Sequence, residues 1–224
     1  MKGRIAEIFD SVQGEGIYLG EKQIFVRFFG CNLSCRFCDT KQYRFTEYEP
    51  EELFGEIALY SGDEIHSISF TGGEPLLQHE FLQEILMLTR ANGYKNYLET
   101  NGTLAGELER VIKYVDIVSM DMKLPSSSGM GLLWGLHERF LKAASQKEVF
   151  IKTIICGVTP EEELRDALAL IKKINPAAIV ILQPNSLDDY GLLKKKLDSF
   201  QEICFNEGIT ACIIPQMHII MGVR

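Results

Sequence analysis

No stretch of this 224-residue chain approaches the roughly 18 consecutive apolar residues of a membrane span. Its opening, Met-Lys-Gly-Arg-Ile-Ala-Glu-Ile-Phe-Asp, lacks the uninterrupted apolar segment of a signal peptide, so a cytosolic protein is expected. Positive charge is scarce too: 23 Lys and Arg stand against 31 Asp and Glu, a net charge of −8. Non-specific nucleic-acid binding needs clustered cations on the phosphates, so this balance argues against it and for a small-molecule substrate. Neither a linker nor an internal break in composition divides the chain. At this length one large core can be buried, and residues 1–224 are expected to form a single domain.

Short β-rich runs alternate with longer helical patterns from end to end, the rhythm of βα units around a parallel sheet. The predicted strands are Ile24–Phe29, Ser67–Phe70, Asn96–Glu99, Ile117–Met120, Val149–Ile155, Ala178–Leu182 and Ile209–Ile214, with Arg4–Phe9 as an added N-terminal strand. Most are continuous apolar runs, as buried parallel strands are. Helices are predicted from Pro50 to about Tyr60 and over Gln78–Ala91, Leu104–Tyr114, Leu132–Ser145 and Tyr190–Asn206. Another opens at Thr159-Pro160-Glu161-Glu162, with Thr159 as cap and Glu162 completing a capping box. Leu164, Leu168, Ile171 and Ile174 mark its buried face. Six or seven strands with helices between them make a partial βα barrel the natural architecture, with a compact helical outer layer and chemistry at the carboxyl ends of the strands.

Three cysteines fall within eight residues, Cys31, Cys35 and Cys38. This C-x3-C-x2-C loop offers three thiolates and no fourth, so a four-iron cluster bound here keeps one iron free for a small molecule. Zinc is the main competitor, but a closed zinc site takes four ligands, usually as two spaced pairs, and the nearest histidine, His66, lies 28 residues beyond Cys38. Cys156, Cys204 and Cys212 sit in separate apolar segments without ligand spacing and read as buried packing residues.

Six loops that follow predicted strands carry polar or glycine-rich motifs. The second holds Gly72-Gly73-Glu74-Pro75, which lets backbone approach a ligand closely. Together with the cysteine loop on the preceding strand, it resembles the radical S-adenosylmethionine superfamily, in which the open iron is chelated by the methionine amino and carboxylate groups. The stretches Phe9–Gly16, Cys38-Asp39-Thr40, Leu98–Thr103, Ser119–Ser127, Leu182–Pro184 and Pro215–His218 narrow the resemblance to the 7-carboxy-7-deazaguanine synthase family. The match runs from near residue 5 to the last residue. Val12 stands where Ile is usual, and Ser128 is an additional serine that leaves the register of its loop open.

The resemblance implies rearrangement of 6-carboxy-5,6,7,8-tetrahydropterin into 7-carboxy-7-deazaguanine with loss of ammonia, assisted by Mg2+, on the way to queuosine-type nucleosides. A 5′-deoxyadenosyl radical takes the hydrogen from C6 of the pterin, and S-adenosylmethionine is re-formed at the end. On this likeness Cys31, Cys35 and Cys38 hold one [4Fe-4S] cluster. Phe37, Cys38, Asp39, Gly73, Asp121, Met122, Lys123, Gln183, Pro184, Asn185 and Ser186 border S-adenosylmethionine. Gln13 and Glu15 read the pterin's guanidine-like edge, with the backbone of Val12 and Gly14 holding that loop. Arg27, Thr71, His218 and the terminal carboxylate of Arg224 complete the substrate contacts. Thr40 matches the Mg2+ position, with Asp39 beside it. A homodimer and a flavodoxin, ferredoxin or reductase as electron donor are also implied.

Plainer readings exist for several of these. Lys123 can be a solvated strand-end charge, Asp39-Thr40 a helix cap, and His218 a surface or core residue. Arg27, amid apolar neighbours, needs an anionic partner, which is either a ligand carboxylate or an internal salt bridge. Among enzymes, the rival is an activase that places a glycyl radical on a partner protein, since those chains also use C-x3-C-x2-C; it would need a protein-docking groove. An iron–sulfur electron carrier would have no use for the Gly-Gly-Glu-Pro loop and would be better served by four cysteines.

Overall fold

The computed structural model describes residues 1–38, 43–60, 62 and 64–222. Among the described residues nine strands form one sheet: β1 (Gly3–Val12), β2 (Lys22–Phe28), β3 (Thr46–Tyr48), β4 (Ser67–Gly72), β5 (Asn96–Thr100), β6 (Ile117–Asp121), β7 (Glu148–Ile155), β8 (Val180–Pro184) and β9 (Ala211–Ile213). Their spatial order is β3-β1-β2-β4-β5-β6-β7-β8-β9. From β2 onward every neighbouring pair is parallel, while β1 runs antiparallel to both β2 and β3. The helices are α1 (Pro50–Ala58), α2 (His79–Ala91), α3 (Ala105–Val111), α4 (Pro125–Ser128), α5 (Trp134–Ala144), α6 (Glu161–Ile174), α7 (Tyr190–Asn206) and α8 (Met217–Met221). All eight expected strands are present with shifted ends; β3, α4 and α8, each five residues or fewer, were not anticipated. Among the described residues no helix is long and apolar enough to cross a membrane.

The two faces of the strands differ, and the difference creates the site. Alternate residues such as Ile24, Val26, Phe28, Ile68, Phe70, Leu98, Val118, Ile151 and Leu182 are buried in the large core shared with the helices. On the other face a smaller cluster of Tyr97, Ile117, Phe150 and Ile181 is covered by Ile17 and Tyr18 from the loop after β1. That loop crosses the concave side: Gly16, at φ +70, leaves no room for a Cβ beside the Phe150 ring, and Tyr18 hydrogen-bonds Glu148 at the start of β7. Beyond this plug the same face turns polar, with Thr71, Glu99, Asp121, Lys152 and Gln183 near the carboxyl ends of successive strands. The expectation of continuous apolar strands therefore holds on the helix side only. The sheet curls enough that the segment after β9 meets the end of β1, where the Met217 amide donates to the Gly14 carbonyl at 2.9 Å.

One local expectation is corrected. Helix α6 begins at Glu161 with Pro160 at its N-cap and no side-chain cap. Thr159 is buried, and its hydroxyl accepts instead from the Cys156 amide at 3.0 Å, closing the turn after β7. The capping box that does form is at α1, where the Glu52 carboxylate accepts from the Glu49 amide at 2.9 Å. Of the three packing cysteines, Cys156 and Cys204 are buried and Cys212 is half-buried against the inner cluster.

Candidate active site

The cysteine loop and the Gly-Gly-Glu-Pro loop leave adjacent parallel strands and dock backbone to backbone. The Gly73 amide donates to the Phe28 carbonyl at 3.0 Å, and the Glu74 amide to the Gly30 carbonyl at 2.8 Å. A Cβ on Gly73 would lie 1.9 Å from the Gly30 oxygen, so no other residue fits there without separating the loops. Glu74 is fully buried behind them. Its carboxyl accepts from the amides of Leu76 and Asn101, at 3.1 and 2.8 Å, and from the Thr100 hydroxyl at 3.0 Å, tying the exit of β4 to that of β5. Burial nevertheless outweighs these donors and raises its pKa to about 7.

The three cysteines open onto a cleft at the carboxyl ends of the strands. Its empty space is about 1170 Å³, including the part open to solvent. Cys31, Cys35, Phe37, Cys38, Gly73, Asp121, Lys123 and Gln183 line it, as do Val12, Gln13, Gly14, Glu15, Arg27, Thr71 and His218. Met122 does not: its side chain is in the large core, leaving only its backbone near the cleft. Pro184, Asn185 and Ser186 also fall outside the lining. Pro184 ends β8, the Asn185 amide donates to the Ile155 carbonyl at 2.9 Å, and Ser186 is exposed. Asp39, Thr40 and Arg224 lie outside the described residues.

Most charges in the cleft are partnered within the chain. Lys152, 5% exposed, ion-pairs with Glu15 and lies 4.0 Å from Glu99. Burial by itself would raise the Glu15 carboxyl; Lys152, with help from Gln216 and His218, overrides it and holds Glu15 at about 2. Reciprocally, the two glutamates keep the Lys152 ammonium charged despite its burial. Gln216 and Gln183 donate to the other Glu15 oxygen at 2.8 and 3.3 Å. Gln13 was expected to read a ligand edge, yet both protons of its amide are used inside the chain, on Gln23 and Glu99 at 3.0 Å each, and its carbonyl accepts from the Glu15 amide. Gln13 thus positions Glu15 and Glu99. The Thr71 hydroxyl likewise donates to Glu99 at 2.9 Å.

Arg27 has its internal partner, Glu7, at 3.3 Å, and its guanidinium lies over the Phe9 ring, which stacks on Phe25. Lys123 is buried rather than solvated: Asp121 ion-pairs with it, and its ammonium sits 4.8 Å from the Phe37 ring centre. Lys152, Glu99 and Gln216 were missed. Lys152 carried the same signal as Arg27, a lone cation inside an apolar strand, and the reasoning applied to Arg27 would have found it.

The sequence model of the Radical SAM superfamily matches residues 25–132, the span from β2 through the cysteine loop and past β6. The 7-carboxy-7-deazaguanine synthase of Geobacter sulfurreducens is 38% identical, covering 97% of this chain and 96% of its own. That of Archaeoglobus fulgidus is 32% identical, with 100% of both covered. The chain belongs to the 7-carboxy-7-deazaguanine synthase family. Among solved structures, QueE from Escherichia coli superposes with a TM-score of 0.70, covering 97% of this chain and 95% of that one at 22% identity, which establishes the shared fold. Membership in this radical SAM family implies a [4Fe-4S] cluster and S-adenosylmethionine as cofactors.

The residues present fit that pair. Three thiols stand on one loop at the mouth of the cleft; burial pushes the Cys35 thiol up, and the Lys123 charge opposes that rise. Among the described residues no trio of His, Cys, Asp and Glu is drawn together as around a single metal ion. A four-iron cubane is wider than one ion and takes its thiolates further apart. Beside the loop, Asp121 Oδ1 and Gln183 Oε1 are buried acceptors with no hydrogen-bond partner among the described residues, as a ligand rich in hydroxyl and amino donors would require.

Proposed function

We propose that this chain converts 6-carboxy-5,6,7,8-tetrahydropterin to 7-carboxy-7-deazaguanine with loss of ammonia, acting as one domain over residues 1–224. The observation that carries the reading is a polar cleft opening directly onto the C-x3-C-x2-C loop in a chain 38% identical, over 97% of its length, to a 7-carboxy-7-deazaguanine synthase.

Cys31, Cys35 and Cys38 would hold the cluster, which with S-adenosylmethionine would supply radical chemistry at the substrate. Phe37, Gly73, Asp121, Lys123 and Gln183 border the cofactor; Met122, Pro184, Asn185 and Ser186 contribute through backbone or from the cleft's edge. The pterin edge lies on Glu15, whose ionised state Lys152 secures before any ligand arrives, so it is ready to accept from one N–H of a guanidine-like group. Phe9 and Phe25 give the flat ring an apolar neighbour, Arg27 serves its carboxylate, and Thr71 and His218 close the sides. Of the four lone-pair sites of a carboxylate, roughly one remains on Glu15 after Lys152, Gln183 and Gln216, which suits a single directed contact.

Mg2+ prefers oxygen and keeps several waters, so the Thr40 hydroxyl with the substrate's own carboxylate can hold it. Arg224 contributes its terminal carboxylate to the substrate. A homodimer, a flavodoxin, ferredoxin or reductase as electron donor, and a cytosolic setting complete the proposal.

Anaerobic incubation of the reconstituted protein with reductant, S-adenosylmethionine, Mg2+ and carboxytetrahydropterin, followed by mass spectrometry, should yield the deazaguanine acid. Its absence while the cluster is intact and the cofactor binds overturns the assignment. Formation of 5′-deoxyadenosine alone retains radical chemistry but refutes this substrate.

A further inference from the structure

We propose that Asn101 is a positioning residue that tunes the iron–sulfur cluster, its side-chain amide donating to the sulfur of Cys31 so that one-electron reduction becomes easier. The inference rests on the cluster assignment above. Asn101 Nδ2 lies 3.8 Å from Cys31 Sγ and 2.8 Å from Asn32 Oδ1, so both of its protons have acceptors. The amide cannot be turned over. Asn101 Oδ1 accepts from the Thr103 hydroxyl at 2.6 Å and from the Thr103 amide at 3.2 Å, and two donors on that side require the oxygen there. Asn32 Nδ2 in turn donates to the Thr103 hydroxyl at 2.9 Å, closing a ring through Asn32, Asn101 and Thr103. The Asn101 backbone is anchored as well, its N–H on Glu74 at 2.8 Å, and the residue is 6% exposed. Every degree of freedom of this amide is therefore taken up, and one N–H is left aimed at sulfur.

A hydrogen bond to a ligating sulfur favours the more negative state of a cluster, and the reduced state carries one electron more. Cys31 is exposed, and a cluster at the cleft mouth lies against solvent. A fixed donor from a buried amide acts there without rearranging when the electron arrives. Asn101 comes from β5's exit loop, not from the cysteine loop, so it also ties Cys31 to a strand two places along the sheet from β2.

The test is an anaerobic redox titration of the holoprotein with dithionite, followed by electron paramagnetic resonance, on wild type, N101L and N101D. N101L removes the donor at nearly constant shape and should lower the one-electron reduction constant roughly threefold or more, ~30 mV at 59 mV per decade. N101D, which also adds a charge, should shift it further the same way. N101L with wild-type iron content and an unchanged midpoint overturns the inference and leaves the cluster assignment standing. Wild type that takes up no iron overturns the assignment itself. Should the variants fail to assemble, pulsed resonance on wild-type reduced protein carrying 15N-asparagine should show a nitrogen coupling to the cluster, and its absence overturns the inference equally.

Discussion

Replacing Lys152 with Met should expose how much of the cleft's order depends on one buried cation. Its ammonium joins Glu15 directly and reaches Glu99 at 4.0 Å, with side-chain exposures of 7%, 14% and 19% for the three. Methionine nearly matches the stem's length and volume, so the packing of β7 survives and the charge alone is lost. Removing one partner of a buried pair leaves an uncompensated charge and costs about 3–5 kcal/mol, a large share of the roughly 5–15 kcal/mol that holds a domain folded. The pH dependence follows from the signs. In wild type the Glu15 carboxyl is held at about 2, below the 4.5 of an unfolded chain, so its stabilisation is complete above 4.5 and is lost as pH falls toward 2. In K152M the lowering influence is gone and burial pushes that carboxyl above 4.5. The folded variant then binds a proton more readily than the unfolded chain, and its stability drops as pH rises through that range.

The gap between wild type and K152M should therefore be wide near neutrality and narrow in mild acid. Urea unfolding of the cluster-free protein under thiol reductant, followed by Trp134 fluorescence and circular dichroism at both pH values, measures it. K152M/E15Q should recover most of the loss at neutral pH, since the orphaned charge is removed. A gap below about 1 kcal/mol, or one that ignores pH, would mean that Lys152 does not carry the charge balance of the site.

Substituting Cys31, Cys35 or Cys38 singly with Ala should abolish iron retention while leaving the circular dichroism spectrum unchanged, because all three side chains are exposed or half-buried. G73A should destabilise by about 1–3 kcal/mol and weaken S-adenosylmethionine binding in equilibrium dialysis, as its methyl would meet the Gly30 carbonyl at 1.9 Å. Glu74, with its pKa raised from 4.5 to about 7, binds its proton more tightly folded than unfolded, so it makes stability decline between those two pH values. E74Q should remove up to about 3 kcal/mol of that decline in pH-dependent urea unfolding; an unchanged slope would place the ionisation elsewhere.

The strands and the cluster loop were readable because each rests on local pattern: apolar runs ended by Gly or Pro, and three thiols too close together to be packing residues. What escaped rests on long-range contact. Gln13 looks like a free amide until Gln23 and Glu99, on β2 and β5, are seen to take its protons. Thr159-Pro160-Glu161-Glu162 satisfies the capping-box pattern, but the Cys156 amide reaches the threonine first. Met122 belongs to a motif whose neighbours face the cleft, and strand alternation sends its own side chain the other way. Lys152 was visible in principle, since a cation within Val149–Ile155 has to be neutralised, but nothing nearby in sequence names Glu15, 137 residues away.

Once those pairings are known, the cleft divides into two regions with different chemistry. Around Glu15 and Glu99 the chain supplies nearly every partner: Lys152, Gln13, Thr71, Gln183 and Gln216 together fix the carboxylates in place and in charge. A ligand there meets a surface already rigid, which suits selection of one ring edge over another, because a wrong edge leaves buried polar atoms unmatched at roughly 1–3 kcal/mol each. Beside the cysteine loop the opposite holds. Asp121 Oδ1 and Gln183 Oε1 are buried without hydrogen-bond partners among the described residues, a condition native structures tolerate mainly where something else completes the bonding. Gln183 belongs to both regions, donating to Glu15 through its nitrogen while its oxygen stays unmatched, so a ligand seated on that oxygen would orient the same amide that holds Glu15.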